Sequence, residues 1–152
     1  MRFTTLRHTF LTGLLLILIG CSAEQESATE AGNATEEGVS LEGTNWQLAQ
    51  LTVLGGFVFE PDDHSKYVLN FRSGNRLTGT SDCNSITGSW LQDGMALRFD
   101  PFATTRSLCL AGSLHNNLIL YLKDVNALSL RDGHLILTTP EDGIEIEFES
   151  RD

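Results

Sequence analysis

A nucleophile, a base or a metal ligand works only beside its partners, and in this chain the partners are sparse. Glu60, Asp62, Asp63 and His64 form its densest group of hard ligands. Together they can bind a divalent cation, but a run of polar residues around a proline reads first as a solvated loop. His64, His115 and His134 are far apart in sequence, and each sits beside a turn or a helix surface. There is no G-x-S-x-G, no H-E-x-x-H, no phosphate loop and no dinucleotide glycine run, so the usual catalytic constellations have nothing to rest on. The expectation is therefore no catalytic residue, no metal and no cofactor. Arg106 is the most distinctive single residue. It reads either as a partly buried structural arginine, satisfied by a carboxylate or by carbonyls, or as a site-forming one; the structural reading is favoured.

Cys21 carries the clearest chemistry. Arg2 and Arg7 precede an almost wholly apolar run, Phe10 to Ile19. That run is short of the roughly 20 residues a membrane-spanning helix needs and fits the h-region of an export signal. Leu18-Ile19-Gly20-Cys21 resembles the lipobox of bacterial lipoproteins, in which a peptidase cuts before the cysteine and the thiol carries a diacylglyceryl group. Residues 1–20 are thus expected to be a lipoprotein signal peptide. An ordinary cleaved signal that happens to contain a cysteine is the alternative. The domain is expected to meet the membrane through acyl chains on Cys21, which contribute roughly 0.8 kcal/mol per buried CH₂. Ser22 follows the cysteine where aspartate would mark retention at the inner membrane. By resemblance to that sorting rule the expected address is the outer membrane, with the domain in the periplasm.

Residues 21–40 then read as an acylated cysteine and a disordered acidic linker. The stretch holds Glu24, Glu26, Glu30, Glu36 and Glu37, without a basic or aromatic residue, and has no apolar surface to offset chain entropy. What remains, 41–152, suffices for one modest domain. Without Arg2 and Arg7 the chain keeps eight basic against twenty acidic residues, a net charge of −12. That sign excludes a nucleic-acid binder and argues that acyl chains alone touch the lipid.

The elements that must position any site are strands. Ser73-Gly74-Asn75, Asp93-Gly94, Asp132-Gly133 and Asp142-Gly143 are hairpin-closing sequences, flanked by alternating apolar residues. Tyr67, Leu69 and Phe71 share a face, as do Met95, Leu97 and Phe99. Ile144 to Glu149 alternates strictly, which puts Ile144, Ile146 and Phe148 inside and Glu145, Glu147 and Glu149 outside. Ser113 to Lys123 instead spaces Leu114, Leu118, Tyr121 and Leu122 as a helical stripe, with Gly112 or Ser113 as a cap. The fold class is mainly β (α+β): a small antiparallel β-barrel-like meander with one inserted α-helix. Cys83 and Cys109 are the pair left once Cys21 is acylated, and an exported chain meets an oxidising compartment. A disulfide would close a loop of roughly 25 residues, about 3.5 kcal/mol in the chain-entropy model. A catalytic or metal-binding thiol pair is the alternative, without a C-x-x-C spacing to support it.

With these residues assembled, a family resemblance is visible. Thr44-Asn45-Trp46-Gln47-Leu48 opens the domain. Ser81-Asp82-Cys83-Asn84-Ser85-Ile86-Thr87-Gly88-Ser89-Trp90 resembles the "GCNxxxGxY" core of META domains, the group that includes the heat-inducible lipoprotein HslJ. Thr104-Thr105-Arg106-Ser107-Leu108-Cys109 resembles that family's "TxRxxC" segment, and an amphipathic helix follows. The likeness runs from about Leu41 to Phe148. Asp82 departs from the family's usual glycine and Trp90 from its tyrosine, while His115 and Asn116 stand where acidic residues are common. The resemblance implies a barrel-like fold with one helix on a lipid-anchored envelope protein. It also implies a link to heat and antibiotic stress, with no established enzymatic reaction.

Two functions fit. One is a non-enzymatic binding or envelope-integrity module, whose partner would be an envelope protein. The other is a carrier of a small apolar ligand in the barrel interior. Trp46, Phe57, Phe59, Phe71, Trp90, Phe99 and Phe148 are expected to fill a core this size, which favours the module. A bridge between Cys83 and Cys109 would also draw Asn84, Thr105 and Arg106 into one neighbourhood. There they act as a structural clamp or, alternatively, as a binding site.

Overall fold

The computed structural model describes residues 39–140 and 143–151. The segment expected to be a signal peptide, Cys21 and nearly all of the expected linker lie outside the described residues. Ten strands follow in order: β1 (Asn45–Val53), β2 (Phe57–Phe59), β3 (Tyr67–Arg72), β4 (Arg76–Ser81), β5 (Asn84–Asp93), β6 (Ala96–Phe99), β7 (Ala103–Thr104), β8 (Ala127–Arg131), β9 (His134–Thr138) and β10 (Glu145–Ser150). A single 3₁₀ turn, His64–Lys66, precedes β3, and the helix α1 spans His115–Leu122.

Neighbouring strands run β10-β9-β8-β6-β5-β4-β3-β1, and β1 pairs again with β10 to close an antiparallel barrel. β2 and β7 are additions, to β1 and β5 respectively. The seam between β6 and β8 is the thinnest, with one register pair, Ala96 opposite Ala127. Tight turns set the register. At Asp132–Gly133 both residues have positive φ, 54° and 84°, the twist a two-residue hairpin requires.

An eight-stranded barrel is just wide enough for side chains to fill, and here they do. Leu48, Leu69, Phe71, Leu97, Leu137 and Phe148 are buried in one continuous core. Phe71 lies edge-on to Trp90 at 5.3 Å and tilted against Phe99 at 6.2 Å. Ile144, Ile146 and Phe148 are buried, and Glu145, Glu147 and Glu149 lie on the outer face, as the alternation of β10 requires. Phe57 and Phe59, expected in the core, are instead exposed on β2, because β2 pairs with β1 beyond the barrel wall. Met95 likewise sits in a turn, half-exposed, while Leu97 and Phe99 face inward.

The helix closes one end of the barrel. Leu118 and Leu122 are fully buried, and Leu114, at the N-cap, donates its N–H to the Tyr67 hydroxyl at 2.9 Å. Ser113 contributes a hydroxyl that accepts from the His115 N–H at 3.2 Å. The register separates the two rims. β1 begins beside the end of β3 and finishes beside the start of β10. Residues 39–44 and the turns at 73–75 and 132–133 therefore share one rim. The β1–β2 hairpin, the Asp82–Cys83 turn and the segment after β7 share the other.

Candidate functional site

At that second rim the chain builds a clamp around a buried amide. β4 and β5 are joined through Asp82 and Cys83. Asp82 has φ 54°, a left-handed conformation that aspartate tolerates and glycine adopts freely. The departure from the family's glycine is thus accommodated by backbone geometry. Cys83 is bonded to Cys109 with Cα atoms 5.4 Å apart, within the range a bridge permits. Asn84, only 2 % exposed, is drawn inside beside the bridge. Its Oδ1 accepts from the Ser107 N–H at 2.8 Å and from the Thr105 hydroxyl at 3.0 Å. Its Nδ2 donates to the Ser107 carbonyl at 3.2 Å. Thr105 Oγ1 in turn accepts from the Ser85 N–H at 3.0 Å. A covalent bond, these four hydrogen bonds and a fifth from the Thr105 N–H to the Ser85 carbonyl at 3.2 Å thus hold the segment after β7 against the start of β5.

Gly88 shows why the motif needs a glycine. A Cβ there would meet the Phe102 Cβ at 2.5 Å, so Phe102 can cross β5 only over a missing side chain. Trp90, in place of the family's tyrosine, is buried against Phe71, and its Nε1 has no hydrogen-bond partner among the described residues.

Arg106 is not part of the clamp. Its side chain is exposed and makes no hydrogen bond or ion pair among the described residues. The favoured reading of it as a structural arginine is therefore corrected: the amide of Asn84 satisfies the local backbone, and Arg106 projects outward. Beside it, Leu108 is 99 % and Leu110 87 % exposed. The outcome is a rigidly held loop carrying one free cation and two solvated leucines.

The Glu60 to His64 group is dispersed into separate local pairs. Asp62 bonds Lys66 at 2.9 Å. Asp63 caps the 3₁₀ turn by accepting from the backbone and hydroxyl of Ser65, and those bonds hold its carboxyl below the usual range. His64 turns away to Glu149, at 2.8 Å. Asp82, Cys83 and Cys109 also lie close enough to share an ion, but sulfurs joined to each other offer no thiolate.

A second constellation was not identified from the sequence. On the outer face of β1, β10, β9 and β8, Gln47 donates to Glu149 at 2.7 Å and Gln50 to Glu147 at 2.8 Å. His134 pairs with Glu147 at 2.6 Å, and Arg131 with Glu145 at 2.9 Å. Bonds from His64 and Gln47 hold the Glu149 carboxyl below its ordinary value. The alternation of Glu145, Glu147 and Glu149 signalled the face; their partners lie up to 102 residues away in sequence.

The class that fold and site define is a small closed antiparallel barrel, plugged by one helix and stapled by a disulfide beside a buried asparagine. The model of the META domain family matches residues 39–152, and the chain belongs to that family. No curated protein matches it. Solved structures share the fold. One is the NMR structure of a protein from Burkholderia xenovorans, 22 % identical with a TM-score of 0.61, covering 73 % of this chain and 83 % of that one. Another is the crystal structure of a DUF4847 family protein from Bacteroides vulgatus, 16 % identical with a TM-score of 0.55, covering 72 % of this chain and 95 % of that one.

Proposed function

We propose that the protein is a lipid-anchored envelope protein, cut before Cys21 and acylated there. Its META domain acts as a non-enzymatic binding module that supports the outer membrane and periplasm under stress. The observation that carries the binding reading is the loop from Thr105 to Gly112. A chain that holds Leu108 and Leu110 almost wholly in water, on a segment fixed by a disulfide and by Asn84, exposes apolar surface at a rigid position. Exposed apolar patches of this kind mark interaction sites, and a preorganised loop loses less freedom when it binds. Arg106 adds a charge-assisted donor to the same surface.

The carrier alternative needs an apolar cavity of a few hundred Å³. The barrel axis is occupied by core side chains, and a groove of about 350 Å³ lined by Leu91, Ala96, Leu97 and Asn126 opens at the surface. That favours the module. The test is capture from envelope extracts by the acylated protein, comparing wild type with an Arg106→Ala, Leu108→Ser, Leu110→Ser variant of unchanged melting temperature. A partner retained by the wild type and lost by the variant supports the reading. Identical capture by both refutes the loop as the recognition surface.

A further inference from the structure

The same rim carries a second exposed element, the arm formed by the end of β1 and by β2. β2 stands at the end of the strand order, paired with β1 on one edge and with no other strand among the described residues. Phe57, Val58 and Phe59 are all exposed, at 67 %, 50 % and 43 %, and Leu54 at the hairpin tip is exposed too. An unpaired apolar edge is a template for another strand, and proteins without a use for one blunt it. The open edge is short, three residues ended by Glu60 and Pro61, yet all three of its side chains stay exposed and apolar.

We infer that this arm is a strand-addition site, and that its occupant is an extended segment of another protein with apolar residues in alternation and a basic flank. The inference rests on the reading of the domain as a binding module and names the chemistry of its partner. Charge selects the occupant. From Thr44 to Phe59 the chain has no charged residue, so the arm itself is neutral. It leads directly into exposed Glu60 and Asp63, and Ser65 holds the Asp63 carboxyl below its ordinary range; Lys66 forms its ion pair with Asp62 and also faces Asp63, which leaves the flank net acidic. An apolar segment followed by lysine or arginine matches that order. The same arm of a second copy does not, because its own flank is acidic and not basic. Nor does the segment 21–38 of this chain, which has glutamates and no cation.

Position argues for a protein over a lipid surface. Residues 39–44, through which any N-terminal anchor connects, lie at the opposite rim from the arm. The nine residues of β1 separate the two, about 30 Å of strand. The arm therefore lies at the rim opposite the one where residues 39–44 enter the barrel. Strand addition supplies affinity through main-chain hydrogen bonds and specificity through alternate side chains.

The test is fluorescence polarisation of two labelled peptides, Lys-Thr-Val-Thr-Val-Thr-Lys and its Glu-flanked counterpart, against the acylated full protein in detergent. The lysine peptide is expected to bind at least tenfold more tightly than the glutamate one, and to weaken as salt is raised. A Phe57→Ser, Phe59→Ser variant should reduce that binding at least tenfold. Val58→Pro should do the same by altering the strand edge. Both changes are at exposed positions, and an unchanged thermal melt confirms folding. Equal binding of the two peptides, or binding insensitive to both variants, overturns the inference. So does a result in which the arm variants lose binding to phosphatidylethanolamine vesicles and not to peptide. If peptide binding depends instead on Arg106, Leu108 and Leu110, the arm proposal falls while the module reading stands.

Discussion

Asn84 and Arg106 are adjacent in the motif logic yet opposite in physical role, and single substitutions separate them. Asn84→Ala removes an acceptor of two hydrogen bonds and leaves the Ser107 N–H without its partner. A loss of about 1 to 3 kcal/mol is expected, read as a fall of several degrees in melting temperature. Arg106→Ala should leave the melt unshifted, since the side chain touches nothing that folding needs. A shift of several degrees for Arg106→Ala would show that the arginine carries structure after all. Gly88→Ala drives a methyl into Phe102, and overpacking of that kind costs about 1 to 3 kcal/mol. Denaturant unfolding checks it; a midpoint equal to wild type would mean Phe102 yields freely.

Between elements, the bridge and the outer-face ladder do different work. Cys83 and Cys109 are 26 residues apart. Replacing both with alanine should remove about 3.5 kcal/mol in the chain-entropy model, and thiol labelling of the unreduced, denatured wild type should find neither cysteine free. The ladder ties the 3₁₀ turn, β1 and β10 through Glu149. Its native pKa is depressed, chiefly by the His64 hydrogen bond and then by Gln47, so folding favours the ionised form. That contribution is complete above the ordinary value of 4.5 and is lost as pH falls through the lower native value. Wild type should therefore lose stability in this acid window more steeply than Glu149→Gln. Parallel acid-unfolding curves would remove Glu149 from the account.

At the scale of the whole molecule, closure of the sheet explains why the domain has so few free edges: β1 meets β10, and among the described residues only additions such as β2 remain open. The rims then divide the labour, with chain entry at one and the exposed loop and arm at the other. For the anchor, a palmitate analogue should label the wild type in growing cells and fail to label Cys21→Ser. Equal labelling of the two would refute acylation at Cys21.

Much of this was legible in the sequence. Period-two alternation in β10, the turn dipeptides and the stripe at Leu114, Leu118 and Leu122 specify elements because each depends on local geometry alone. The motif residues likewise identified Cys83, Cys109 and Asn84 as neighbours. What alternation cannot express is whether a strand lies in the barrel wall or beyond it. Phe57 and Phe59 read as core residues for that reason, and only pairing of β2 outside the wall exposed them. Arg106 was ambiguous for a related reason: a charge beside a buried amide can point inward or outward, and the hydrogen bonds of Asn84 had already filled the inward place. The Gln47, His64 and His134 partners of Glu147 and Glu149 are cross-strand or loop contacts, set by register and closure, which no single segment of the chain contains.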